Sequence, residues 1–90
     1  MSDIAEVEVT LTQVDRVHGR GELIALLAAD VVIAGVPLQL QGIQVRRDRI
    51  GLKMRAPEFR GSDGRWWPAV VLPGEVMQAL LDAYLESGAA

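Results

Sequence analysis

Seven cations lie between Arg46 and Arg65: Arg46, Arg47, Arg49, Lys53, Arg55, Arg60 and Arg65. Three carboxylates oppose them, Asp48, Glu58 and Asp63, so this window carries +4. The rest of the chain has two basic and nine acidic residues, or −7, within a total net charge of −3. Segregated charge creates a local field that the average hides, and such a field attracts polyanions. Arg suits this chemistry because its planar guanidinium pairs with phosphate in bidentate fashion and stacks on bases. The competing reading is a pair of solvated, Arg-rich loops.

Trp66 and Trp67 fall at the end of this window, close to Phe59. Exposed aromatic rings among basic residues make a stacking platform for bases. Adjacent residues of a strand point to opposite faces, so one Trp is expected in the core and the other at an interface or a flanking surface.

Other chemistry finds little support. His18 is the only histidine and there is no Cys, so no metal site and no disulfide framework is expected. Gly19-Arg20-Gly21 is too short for a phosphate cradle, and it precedes a strand where a cradle opens a helix. Ser2, Ser62 and Ser87 sit at two termini and a turn, outside any nucleophile elbow. Asp30, Asp48 and Asp63 fall at turns, where short side chains bond to backbone. No enzyme, no cofactor and no small-molecule substrate is expected.

The elements that position these residues follow from the patterning. Val7, Val9 and Leu11 alternate with polar residues as a half-buried strand, and a Gly-rich hairpin loop spans Asp15 to Gly21. Glu22 to Asp30 is apolar at both parities, and a helix is open to it on propensity alone. Its short Gly loop and the following Val31-Val32-Ile33 favour a central strand. Gly35 turns the chain. Leu38 and Leu40 share one parity and Ile43 and Val45 the other, as a bulge at Gly42 would produce. Ile50, Leu52 and Met54 then alternate with Lys53 and Arg55, putting two cations on one polar face.

Pro57 stops that strand, Asp63-Gly64 signals a turn, and Arg65 to Leu72 reads as a last strand, at an edge or irregular because of Pro68. Glu75 to about Ser87 is the one helix. Its polar stripe is narrow: Glu75, Gln78, Asp82 and Glu86. The apolar arc is wider than packing on one sheet requires. The expected fold is α+β, an antiparallel, bulged sheet of about five strands with one C-terminal helix. It forms a single domain over 1–90, with a core from about residue 7 to 86 and frayed ends. The acidic start, Met1 to Glu6, has no signal-peptide character, and no apolar run is long enough to span a bilayer. A cytoplasmic location is expected.

Several segments, in order, resemble the SpoVG-like family (stage V sporulation protein G, septation protein). They are Gly21-Glu22-Leu23-Ile24-Ala25, Leu38 to Val45, Gly51-Leu52-Lys53-Met54-Arg55-Ala56-Pro57, Asp63-Gly64 with Trp66, and the helix from Glu75 to Tyr84. The chain departs from the family at Val71-Leu72-Pro73, where a His-Pro pair is usual. It departs again at Lys53, in place of a common Phe, and at Arg55, in place of a small residue. The resemblance implies a small dimeric regulator that binds DNA or RNA. The family's C-terminal helical region is implicated in contact. Here that helix is acidic, so the carry-over rests on the sheet and its loops. The expected nucleic-acid-binding set is the seven cations named above. A homodimer is expected through Trp66, Trp67, Val70, Leu80 and Tyr84, and a protein-interaction module without nucleic-acid binding is the alternative.

Overall fold

A computed structural model describes residues 6–88. Residues 1–5 and the last two alanines, expected to fray, lie outside the described residues. The architecture is α+β. Strands β1 (Val7–Arg16), β2 (Leu23–Ile33), β3 (Val36–Arg47) and β4 (Leu52–Arg55) form one antiparallel sheet in the order β1-β2-β3-β4. Two short strands, β5 (Glu58–Arg60) and β6 (Trp66–Pro68), form a separate hairpin sheet, and helix α1 (Gly74–Glu86) closes the chain.

The sheet is bent by bulges. Thr12 is unpaired between Leu11 and Gln13, and Gly42 is unpaired between Gln41 and Ile43. Both lie beside Ala28, one on each neighbouring strand. Gly42 adopts φ 79°, a left-handed backbone that a side chain disfavours. The bulge returns Ile43 and Val45 to the face that holds Leu40, and all three are buried as expected. Leu38 shares that face opposite Val31 but is 40% exposed, at the end of β3 remote from β4. Between β2 and β3 the chain reverses through Ala34 and Gly35, both at positive φ (49° and 82°), the two-residue turn that matches strand twist.

The inner face of β2 presents Ala25, Leu27, Ala29 and Val31, and α1 lays Val76, Leu80 and Tyr84 upon it at helical spacing. Small Ala25 and Ala29 leave room for the larger helix residues. The helix backbone approaches β1 and β4 more closely than the central strands, so the bulged sheet curls around it. Each of these large buried side chains contributes about 1.5–3 kcal/mol on leaving water. The N-terminus of α1 has no side-chain cap. The Pro73 carbonyl accepts from the N–H groups of Val76 and Met77 at 3.0 and 3.1 Å, and Glu75 in the first turn complements the dipole.

Four expectations need correction. Asp30 is not at a turn but within β2, between Thr10 and Gln39 of the neighbouring strands. Leu80 and Tyr84 are buried against the chain's own sheet, so they are unavailable to a dimer interface. The last strand is only Trp66–Pro68, since residues 69–73 leave the ladder after one further bond, Ala69 N–H to Pro57 carbonyl at 2.9 Å. Its partner β5 was not anticipated. Neither Trp joins the core. Trp66 is 64% and Trp67 45% exposed, because the hairpin stands beside the main sheet and not beneath α1.

Candidate nucleic-acid interface

Residues opposite each other across a ladder share a face. On the outer face of the main sheet, away from α1, Gln44 lies opposite Arg55 and Arg46 opposite Lys53. Arg47 lies opposite Leu52, on the inner side, so the sheet separates it from Arg46, Lys53 and Arg55. Arg49 is exposed in the β3–β4 turn. In the hairpin, Arg60 lies opposite Trp66 and Phe59 opposite Trp67. Arg60, Trp66 and Glu58 therefore share one hairpin face, and Phe59 and Trp67 the other. Arg65 is exposed in the turn before β6.

The first hairpin face and the outer sheet face meet. Leu23, Leu26, Gly42, Gln44, Arg46, Arg55, Glu58 and Trp66 line an open groove of about 690 Å³ between them. The fold thus brings Arg46, Arg55 and Trp66 together at the groove out of the expected set, places Arg60 on the same hairpin face as Trp66, and leaves Arg47, Arg49 and Arg65 elsewhere.

A chain of contacts holds the groove floor. Arg46 Nη1 donates to Gln44 Oε1 at 3.0 Å, and Gln44 Nε2 donates to Glu58 Oε1 at 2.9 Å. Glu22 and Glu58 face Arg46 and Arg55 at 3.9 and 4.0 Å, distances that leave both guanidinium groups loosely held. Lys53 differs. Its Nζ lies 2.8 Å from Asp48 Oδ2, while Asp48 Oδ1 accepts from the N–H groups of Ile50 and Gly51 at 2.8 and 3.1 Å. The Lys53 bond, followed by the Ile50 N–H, holds the Asp48 carboxyl below its ordinary range. Lys53 is therefore a turn-stabilising cation. Among the described residues, Arg47, Arg49, Arg60 and Arg65 form no ion pair.

The hairpin turn is built around Asp63 and Trp67. Asp63 Oδ1 accepts from the Arg65 N–H at 3.0 Å and from Trp67 Nε1 at 3.2 Å, and these two bonds, in that order, lower its pKa. The indole lies against Gly61, where a Cβ would sit 2.8 Å from the ring. Trp67 is thus anchored to its own turn, whereas no hydrogen bond restrains Trp66 among the described residues.

Glu58, Gln44, Leu23 and Leu26 escaped the sequence reading. Gln44 and Arg46 do alternate on β3 with buried Ile43 and Val45, which marks their face. The Gln44–Glu58 bond spans 14 residues and left no local signal. No group of three or more His, Cys, Asp or Glu side chains among the described residues is placed to hold a metal ion. No helix there is long and apolar enough to cross a membrane. No protein-family model, curated protein or solved structure matches this chain.

Proposed function

We propose that this protein is a non-catalytic, SpoVG-like regulator that binds nucleic acid, single-stranded in preference to duplex, in the groove between its sheet and the β5–β6 hairpin. The observation that carries this reading is Trp66, 64% exposed, opposite Arg60, and bordering a groove that Arg46 and Arg55 also line. An exposed indole among guanidinium groups stacks on unpaired bases, a contribution of about 1–3 kcal/mol per base. Duplex hides its base faces and offers mainly phosphate, and phosphate must here compete with Glu22 and Glu58 for the same arginines. Resemblance to the SpoVG-like family supports the same reading, and a cysteine-free chain fits the cytoplasm.

Carboxylates in the groove reduce the number of phosphates neutralised below the three to four that the raw cation count suggests. With about two phosphates neutralised per chain, log affinity for a single strand should fall against log salt with a slope of about −1.4. Fluorescence anisotropy with a labelled 12-nucleotide strand at low salt tests this. Trp66→Ala should weaken binding by about 1–3 kcal/mol, which is roughly five- to 150-fold. Absence of binding to any single- or double-stranded DNA or RNA at low salt overturns the proposal.

A second reading, self-association, is favoured by the opposite hairpin face. There Phe59 and Trp67 form a cross-strand pair, both about half exposed, with exposed Val71 and half-buried Val70 following in the chain. An exposed aromatic pair of this kind suits an interaction site. A second copy on this face would build the expected homodimer and leave the Trp66 groove open. Sedimentation at low micromolar concentration should show a dimer that Phe59→Ser dissociates, and a wild-type monomer throughout would remove this reading.

A further inference from the structure

We infer that the groove beside Trp66 holds one unstacked guanine base of the bound strand; this rests on the nucleic-acid reading above. Three features of the groove point to a planar ligand with both acceptors and donors on its edge. Its volume, about 690 Å³, falls in the range of small-molecule pockets. Its walls are part apolar, with Leu23 and Leu26 from β2 and the indole of Trp66 from β6. Its polar groups are of both kinds. Arg46 and Arg55 each keep spare N–H donors after the contacts described, since a guanidinium has five. Glu58 uses only Oε1, toward both Gln44 and Arg55, and Oε2 has no partner among the described residues.

Charge argues against a bare phosphate or other compact anion as the occupant. Arg46, Arg55 and Glu58 line the groove, and Glu22 stands beside Arg46, so two cations are matched by two anions. A phosphate seated on the arginines would lie against the Glu58 carboxylate. A neutral base avoids that repulsion and still uses the donors. Guanine fits best among the four. It presents two adjacent acceptors, O6 and N7, which pair with Arg in the commonest specific contact between protein and base. On the adjoining edge it presents two donors, N1–H and N2–H, which a carboxylate accepts. Adenine, cytosine and thymine each lack at least one of these two pairs. Glu58 is thereby the residue that selects, and Trp66 the one that holds the ring.

The test uses the wild-type chain and four labelled oligothymidylate strands that differ at one central position, carrying guanine, adenine, cytosine or thymine. The guanine strand should bind about tenfold or more tightly than the other three at the same low salt. Glu58→Gln removes the carboxylate but keeps an acceptor for Gln44. It should abolish the guanine preference and raise affinity for the plain thymidylate strand by removing a negative charge. Equal binding of all four strands by the wild type overturns the guanine inference and leaves the stacking reading standing. A guanine preference that survives in Glu58→Gln also overturns it. Failure of every strand to bind removes both.

Discussion

The four-stranded sheet and the β5–β6 hairpin spend their apolar residues in opposite ways. In the sheet, Leu27, Ile43, Val45 and their neighbours are sealed beneath Val76, Leu80 and Tyr84 of α1. In the hairpin, Phe59, Trp66 and Trp67 make up three of the chain's four aromatic residues, and all three stay exposed. Tyr84 is the fourth, and it alone is core. A small domain has little apolar surface to spare for stability, so three large rings left in water are better explained by what they contact than by what they support.

The sharpest way to break this comparison is to truncate one residue from each region. Leu80→Ala removes a fully buried side chain under the sheet and should cost about 2–5 kcal/mol. That is a large share of the roughly 5–15 kcal/mol that holds a typical domain together. Trp66→Ala should change stability within about 0.5 kcal/mol, as surface substitutions usually do. Urea unfolding of the two variants measures both. A Trp66→Ala chain as unstable as Leu80→Ala would show the hairpin to be part of the folding core, and the division drawn here would fail.

A smaller effect tests how the sheet reaches its curvature. Gly42→Ala meets no atom within 4 Å, so any loss arises from the backbone at φ 79° and not from crowding. An L-residue in that region costs about 1–2 kcal/mol. A midpoint unchanged in urea would mean that the bulge relaxes at no cost.

The same contrast explains what the sequence made legible. The bulge at Gly42 was readable because a parity switch at a glycine, from Leu38 and Leu40 to Ile43 and Val45, is a local signal. The second switch, from Leu11 to Val14, is equally local, and it extends β1 past the point where strict alternation ends. Alternation did place Trp66 and Trp67 on opposite faces, but it carries no information on what covers each face. Topology decides that, and the hairpin lies off the main sheet. The groove was hidden for a related reason. Arg46 finds Glu22 from 24 residues earlier, and Gln44 finds Glu58 from 14 later. A count of cations between residues 46 and 65 sees neither face nor counter-charge. It therefore grouped Arg47 with Lys53 and Arg55 where the sheet divides them.

The smallest expected effect is a pH response confined to the hairpin. The Arg65 N–H and then the Trp67 indole N–H hold the Asp63 carboxyl below the ordinary aspartate range. A carboxylate depressed by folding adds stability that is fully present above its unfolded-state pKa and is lost as pH falls through its folded-state value. The anchoring of Trp67 should therefore be constant at neutral pH and weaken only in acid below the ordinary aspartate range. Asp63 is fully exposed to solvent, so the change should be local, with α1 and the sheet unaffected. Tryptophan fluorescence followed against helix circular dichroism separates the two regions, because both indoles lie in β6 and α1 is the only helix among the described residues. Asp48 titrates with the same sign in the β3–β4 turn, far in sequence from either indole, so Asp63→Asn isolates the hairpin. The acid step in fluorescence should vanish in that variant while the circular dichroism curve is unchanged. A step that persists in Asp63→Asn, or that coincides with loss of helix, would mean that hairpin and sheet unfold as one unit.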